Sequence, residues 1–554
     1  MATSRLSPWA RAGLLALILL ATWLYTWGLP RNLPYSAEAD ENIFVERTVM
    51  MFSRGDGNPG WFGNPGSTIF YPLLAIYQLL DLGRDATTPD LATWFAREPW
   101  LFYLLARLLS VAYTLLTLPL LYQIGRRVFN PTTGLIGVAL FLSYPTVLFH
   151  IKSVRTDGVA LFFATLSVWA CLQLAQQPTI RPSGAGIRAE IGAGISIGLG
   201  IASRYFLVLF APLLLWLSWR TGRARQATWK AQVFALLASL LAIGVGFALS
   251  TPYFFLDFPT AWHNLVTEGR STHPGADGLP PLQNLRWYFV QIARSEYQAI
   301  QTGFGLIGLL AIIWQRRLLP LSLVGMIVLF LAGISASPLH WLRWVIPILP
   351  LAALVSAYGL VTSVELLGHA PTLRRTLLIG LTLAAMAQPS LRSIQLSVQD
   401  ANPNTRLAAR LWLLDQLPAQ ARLIQEPYTA LLADDPRVTT LAQSLGTQQT
   451  LADYHCEGYT HLMISSAMYQ RFLAEPARYP TEVAFYQTLL QAHTPLISFA
   501  PTWSRGGPTL HLYALDMLPE QPCPRVYCVD KQCGSRYNTN RDFPAHPFTR
   551  TQSM

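Results

Sequence analysis

The chain has 554 residues, of which 40 are Lys or Arg and 29 are Asp or Glu; 12% are charged and 52% are hydrophobic, against about 25% charged in an ordinary soluble domain. A soluble globule of this composition would aggregate, whereas apolar stretches long enough to cross a hydrocarbon core of about 30 Å recur along the first part of the chain. The net charge of +11 sits in short clusters between apolar runs, the topogenic pattern of a membrane protein, which excludes nucleic acid as the partner.

The first apolar run, Ala10 to Leu29, follows Arg5 and Arg11 and has no small-x-small cleavage site before Pro30, so it reads as an anchor with a cytoplasmic amino terminus. Basic clusters at Arg126-Arg127, Arg181 with Arg188, Arg220 to Lys230, Arg316-Arg317 and Arg374-Arg375 are expected on the cytoplasmic side. An odd number of crossings must then separate Asp40-Glu41 from Arg126-Arg127. Thr68 to Leu82 is short and broken by Pro72, so it is assigned as a juxtamembrane or re-entrant helix, and Trp100 to Ile124 as the span. Thr132 to Phe149 carries the chain out again, which places Asp157 on the face of Asp40, and Asp157 opens the span that returns.

Glu190 to Trp219 is long enough for two short spans with a turn near Ser203-Arg204, or for one tilted helix, and parity prefers two. Further spans fall at Ala231 to Leu249, Phe304 to Trp314, Leu318 to Ile334, Leu342 to Leu360 and Thr376 to Ala387. The total is about eleven crossings, an odd count that puts the carboxyl end outside. The expected organisation is a membrane domain, 1–393, with outer loops at about 31–97 and 251–301, an extracytoplasmic α/β domain, 394–518, and a Cys- and Pro-rich tail, 519–554. Cys456, Cys523, Cys528 and Cys533 all fall in the outer part, where an oxidising exterior favours disulfides with three pairings open. Zinc is the weaker alternative, because the spacings are looser than those of zinc knuckles and His546 is distant.

In a chain this poor in acids, carboxylates at a membrane face stand out. Asp40 and Glu41 follow the first span in DENIFVE, which ends at Glu46, and Asp157 lies in HIKSVRTDG beside Lys152 and Arg155. The plain alternative is that each carboxylate only caps a helix, whose positive dipole end favours it. Arg107 lies within an apolar run, Arg204 interrupts another, and Arg343 opens a third. A cation in a span is a functional hypothesis by default, with snorkelling as the alternative. Together these groups resemble a site for an anionic lipid headgroup. A sugar on a lipid phosphate has a stabilised leaving group, so transfer needs a carboxylate to deprotonate an acceptor hydroxyl and cations to neutralise the departing phosphate.

The pattern DE-x-x-aromatic-x-E, here Asp40, Glu41, Phe44 and Glu46, resembles the opening motif of the GT-C glycosyltransferases, specifically glycosyltransferase family thirty-nine, the protein mannosyltransferase and aminoarabinose transferase-like enzymes. GDGNPGWFGNPGSTIFYPLLAIY is similar to their first outer loop, and LYQIGRRVFNPTTGLIGVALFLSYPTVLFHIKSVRTDG to their run from a cytoplasmic turn to the second outer Asp. TPYFFLDFPTAWHNL, RWVIPILPLAALVSAYGL and NTRLAARLWLLDQLPAQARLIQEPY also resemble family segments. The resemblance covers most of the chain. It implies a mainly α GT-C membrane domain, a polyprenyl-phosphate sugar donor such as undecaprenyl or dolichyl phosphate, and a glycan, lipid or protein acceptor at the outer face of the plasma membrane.

By the same resemblance Asp40 is the base, with Glu41 beside it, Asp157 is the second acidic site, and Arg204 is the basic residue of a later span. Many relatives carry Lys-Pro-Pro in the first outer loop where this chain has Asn64-Pro65-Gly66, so the donor phosphate is left to Arg204, Lys152 or Arg155, with Arg107 and Arg343 as further candidates. Arg270 and His273, in the Gly-rich loop HPGADGLPP, suit a lid over substrate or equally an ordinary connector. Tyr71 and Trp61 are candidates to stack on a sugar, although aromatics are common at membrane interfaces. No cofactor is required by this chemistry; Asp40, Glu41 and Asp157 leave room for a bridging divalent cation that their spacing does not demand. The competing readings are a non-catalytic GT-C-like subunit binding lipid or a partner complex, and a transporter, which the interfacial position of the acids disfavours.

Overall fold

A computed structural model describes residues 8–35, 38–85, 89–175, 184–367, 370–432 and 434–515. The chain divides into two compact units, one built on the residues up to Trp412 together with Phe499–Thr509, the other on Leu413–Ser498 with the chain from Leu510. The tail 519–554, with Cys523, Cys528 and Cys533, lies outside the described residues.

The first unit is almost wholly helical. It opens with α1 (Pro8–Thr26), followed by three helices that lie before the second span: α2 (Ala39–Arg54), α3 (Ser67–Leu82) and α4 (Leu91–Arg97). Asp40 and Glu41 fall in the first turn of α2, where acids are favoured, and Gly55 in the left-handed region ends it with its N–H on Met51 and Phe52 carbonyls. At 16 residues α3 is too short to span, in keeping with the juxtamembrane assignment. Phe44, Val49, Ile69, Phe70, Tyr77 and Phe102 form a separate apolar core that seats α2 and α3 on the start of α5 (Trp100–Val128). Arg126 and Arg127 occupy the last turn of α5, at the opposite end from Arg107.

The next span is broken. Asn130 caps α6 (Pro131–Leu142) by accepting from Thr133 N, and α7 (Pro145–Ile151) continues at an angle of 64°. Pro145 has no N–H to donate back to α6, so the ladder stops there. After α8 (Thr156–Ala175) and α9 (Gly184–Ser203), a second break at Arg204 leads through a 3₁₀ segment, Tyr205–Phe210, into α10 (Ala211–Ala224). The turn expected near Ser203-Arg204 is therefore present. Then come α11 (Trp229–Ser250), the short α12 (Pro252–Leu256) and α13 (Phe258–Glu268), and α14 (Pro281–Gln291), which runs through a π-helical turn, Ile292–Tyr297, into α15 (Gln298–Gln315). The unit continues with α16 (Leu318–Ser335), a 3₁₀ segment (Leu342–Ile348) leading into α17 (Leu349–Leu367), and α18 (Pro371–Asp400).

Among the described residues nine helices are long and apolar enough to cross a membrane, or ten if α6 and α7 form one span. The expected count of about eleven also took in α9, which is as long as a span but rich in Gly and bears Arg188 and Glu190. Close backbone approach replaces hydrophobic drive between such helices: a Cβ at Gly308 of α15 would lie 2.1 Å from the Val355 carbonyl of α17.

The second unit is a small α/β module. Strands β1 (Leu423–Gln425), β2 (Val438–Thr440), β3 (His461–Ser465), β4 (Ile497–Phe499) and β5 (Leu510–Ala514) form one sheet in the order β2-β1-β3-β5-β4. β1 pairs parallel with β2 and β3, and β3 antiparallel with β5. Ile424, Leu462, Ile464, Phe472, Tyr486 and Tyr513 supply its core. The sheet and its helices give this part of the chain the α/β character expected of it. Cys456 is disulfide-bonded.

Candidate functional site

The site lies in the membrane unit, where α2, the loop after α7 and the two 3₁₀ segments converge. Asp40, its side chain 37% exposed, accepts from Arg343 Nη1 at 2.9 Å, and Arg155 Nε lies 3.3 Å from the same oxygen. Arg155 also pairs with Glu38 at 2.9 Å and donates from Nη1 to His150 Nδ1 at 3.1 Å. Asp157, 1% exposed, meets Arg204 Nη2 at 2.9 Å, while Arg204 Nε donates to Thr156 Oγ1 at 2.8 Å. Neither carboxylate oxygen of Asp157 has a well-aligned hydrogen bond. Three carboxylates, Glu38, Asp40 and Asp157, and three guanidinium groups thus share one cluster, in which the charges balance when all three acids are ionised. Burial pushes the Asp40 carboxyl up, but Arg155 and then Arg343 outweigh it and hold the group below its ordinary range.

Three of the expected site residues are elsewhere engaged. Glu41 is fully buried and takes a bidentate pair from Arg107, Nε to Oε1 at 2.8 Å and Nη2 to Oε2 at 2.7 Å, with the Val154 N–H on Oε1 at 3.0 Å. Arg107 spends Nη1 on the Leu29 and Arg31 carbonyls at 2.7 and 3.0 Å. The pair binds α2 to α5 and leaves no accessible face, which corrects the placing of Arg107 at a donor phosphate and of Glu41 beside Asp40 as a reacting group. Lys152 is likewise fully buried; its Nζ donates to the Trp27 carbonyl at 2.8 Å and Ser397 Oγ at 3.0 Å and lies 3.3 Å from Asp400. Arg31 meets Asp400 at 2.7 Å, so the end of α18 is tied to the segment after α1.

The flanks are aromatic. The Arg343 guanidinium lies 6.0 Å from the Trp341 ring centroid and that of Arg204 5.3 Å from Phe206. His273 sets its ring edge-on to Trp341 at 5.3 Å. Its loop is stitched down rather than free: Gly278 N donates to the Pro338 carbonyl at 2.7 Å and His340 N to that of Ala276 at 2.9 Å. A Cβ at Gly278 would meet the Pro338 oxygen at 2.6 Å, so the approach needs glycine. Arg270 is exposed. Tyr71 belongs to a different neighbourhood, raised to about 12 by burial and by Tyr253 and Asp56, and Trp61 stands edge-on to Phe44. Among the described residues no group of three His, Cys, Asp or Glu side chains is placed to hold a metal. An apolar groove of about 210 Å³ opens between the helices, lined by Phe289, Ile292, Tyr297, Leu306, Leu331 and Ile348 among others.

Residues 103–249, from α5 through α11 and including Arg107, Asp157 and Arg204, match the family model described as dolichyl-phosphate-mannose-protein mannosyltransferase. No curated protein sequence matches the chain. Among solved structures, ArnT from Cupriavidus metallidurans in the apo state is 13% identical and superposes over 92% of this chain and 100% of its own with a TM-score of 0.54. The chain has the GT-C fold. The Archaeoglobus fulgidus oligosaccharyltransferase in the apo form is similar at 12% identity, covering 86% of this chain and 72% of its own, TM-score 0.51. The same enzyme tethered with an acceptor peptide containing the NVT sequon gives the same identity and coverage with a TM-score of 0.50. The GT-C resemblance drawn from the sequence therefore holds at the level of the fold.

Within that GT-C framework, Asp40, Asp157, Arg155, Arg204 and Arg343 are brought together. Arg107, Glu41 and Lys152 are built into the scaffold, and Arg270 and Tyr71 stand apart from the cluster. Sequence reasoning missed His150 and Glu38. His150 stands in the same HIKSVRTDG run as Arg155 and Asp157, and Glu38 lies two residues before Asp40, so adjacency to the chosen residues was the available signal.

Proposed function

We propose that this chain transfers a sugar from a polyprenyl-phosphate carrier to an acceptor hydroxyl or amide outside the cytoplasm, with Asp40 as the base that activates the acceptor. The observation that carries the reading is Asp40 itself: a partly exposed carboxylate held between Arg155 and Arg343, with a third guanidinium, that of Arg204, paired to buried Asp157 in the same cluster. In this reading Arg155, Arg204 and Arg343 neutralise the phosphate as its bond to the anomeric carbon breaks, while Asp40 takes the acceptor proton. When the phosphate engages Arg155 and Arg343, Asp40 loses part of their pull and becomes a stronger base. The apolar groove suits a prenyl chain, and Trp341 beside Arg343 offers a ring face for a sugar.

Support for the donor class comes from the family description matched by residues 103–249, which names dolichyl-phosphate-mannose as donor and protein as acceptor, and for acceptor chemistry from the peptide-tethered oligosaccharyltransferase of the same fold. Basic clusters such as Arg126-Arg127, at the end of α5 away from the site, favour a site on the outer face of the plasma membrane, with the amino terminus inside and the α/β module outside. The test is Asp40→Asn in purified protein, assayed for transfer from extracted lipid-linked sugars, with mass analysis of the lipid-linked sugars that accumulate in cells carrying the variant. Loss of transfer by about 10²–10⁴-fold with carrier binding retained is expected; full activity in Asp40→Asn removes the base, and an absence of donor turnover in the unaltered protein favours a non-catalytic lipid-binding role.

A further inference from the structure

One buried carboxylate of the membrane unit has no part in the chemistry above. Glu296 is fully buried in the π-helical turn between α14 and α15. A carboxylate in an apolar helix is costly to keep, and π turns recur at functional positions because the widened backbone is itself unfavourable. The turn ends at Gln298, whose φ of +54° is a left-handed conformation rare for a side chain of that kind. Two unfavourable features and an acid therefore coincide within three residues of one another.

The acid is spent on Thr146. Glu296 Oε2 accepts from the Thr146 N–H at 3.3 Å and Oε1 from the Thr146 hydroxyl. Thr146 is the second residue of α7, the tilted half of the broken span. With only seven residues α7 is too short to hold its place by its own hydrogen bonds, so external contacts set its tilt. One turn further on, at i+4 and hence on the same face, stands His150, which faces Arg155 at 3.1 Å. A guanidinium only donates, so His150 Nδ1 is the acceptor, and its imidazole is neutral with the proton on Nε2. Arg155 in turn reaches Asp40 and Glu38.

We infer that Glu296 is a positioning residue for Arg155: by gripping Thr146 it fixes α7, and through His150 it aims the guanidinium that faces Asp40. The consequence for transfer rests on the reading that Arg155 meets the donor phosphate, whereas the aiming itself does not. The test uses the full chain in detergent, with Glu296→Gln, Thr146→Val, Thr146→Ser, Arg155→Gln and the Glu296→Gln/Arg155→Gln double variant. With a polyprenyl-phosphate mannose donor, Glu296→Gln and Thr146→Val should each lower kcat about tenfold with a smaller change in KM, and Thr146→Ser should restore it. In the Arg155→Gln background Glu296→Gln should add less than about twofold, because the two act on one guanidinium. Equal, multiplying losses in both backgrounds would overturn the inference, as would a loss that follows the melting temperature alone. A second readout needs no turnover: histidine ¹⁵N spectra should give His150 as the Nε2–H tautomer in the unaltered protein and a mixture in Glu296→Gln. An inactive protein whose tautomer still responds refutes the transferase and keeps the inference; an active protein whose tautomer and kcat ignore Glu296 does the reverse.

Discussion

Arg343 Nη1 meets Asp40 Oδ2 at 2.9 Å although 303 residues of chain separate them. The contact closes the site between the start of α2 and the 3₁₀ segment before α17, and it holds the acid in its ionised form against the burial that would neutralise it. A base whose carboxyl is held low works down to acidic pH, because activity is lost only as the pH falls through that value. Replacing Arg343 by Gln removes one of the cations that oppose burial, so the acid limb of the pH dependence of kcat/KM should move to higher pH. Measured on the free enzyme, an acid limb unchanged in Arg343→Gln would separate that limb from Asp40.

Glu41 sits one residue away from Asp40, yet its behaviour should be opposite in kind. Its bidentate pair with Arg107 is fully buried, and removing one partner of such a pair leaves an uncompensated charge at a cost of about 3–5 kcal/mol. Glu41→Gln and Arg107→Met should each sharply lower the melting temperature and the yield of folded protein. The apolar double replacement Glu41→Leu/Arg107→Met should be milder than either, since no lone charge remains. Single variants that fold as well as the unaltered chain but lose turnover would instead return both residues to the site.

Lys152 and Arg155 lie three residues apart and were equally good phosphate ligands on sequence grounds, but their surroundings divide them. Lys152 is enclosed by the Trp27 carbonyl, Ser397 and Asp400, whereas Arg155 faces Asp40. Lys152→Gln should lower thermal stability and leave the affinity for a short polyprenyl phosphate such as farnesyl phosphate within about threefold. Arg155→Gln should weaken that affinity by tenfold or more, the scale of one charge-assisted contact. Titration by calorimetry distinguishes them, and equal losses of affinity would make Lys152 a ligand after all.

The fold class, the helical membrane unit and the break at Arg204 were legible because apolar length and charge placement are local signals. Asp40 and Asp157 were legible because acids are scarce in this chain. What the sequence did not tell apart was which arginine belongs to the site: Arg107 and Arg343 both interrupt apolar runs, and only the fold places one against Glu41 and the other against Asp40. The bend between α6 and α7 was read as one span, since Pro145 is tolerated within apolar runs and the 64° change in direction is set by packing. Glu296 was passed over because a single acid at the edge of a long outer loop looks solvated until the π turn draws it inward.

In the α/β module, Glu426 follows β1 and is fully buried, accepting from Tyr486 Oη at 2.5 Å, Ser465 N at 2.8 Å and Leu445 N at 3.4 Å. Burial pushes its carboxyl up from 4.5 to about 7, with those hydrogen bonds and Arg471 restraining the rise. Between about pH 4.5 and 7 the folded module therefore binds a proton that the unfolded chain has already released. The stabilisation is complete below the lower value, is lost as the pH rises towards the upper one, and is flat beyond it, with a ceiling of about 3 kcal/mol. Glu426→Gln imitates the protonated acid and should flatten this slope. Proteolytic susceptibility of the module in the full chain, followed from pH 5 to 8 in denaturant, measures it; a slope retained in Glu426→Gln assigns the pH dependence to another group. The trend also separates the two units, because Asp40, held low, is ionised across that whole range, and activity should not follow the module's stability as the pH is raised.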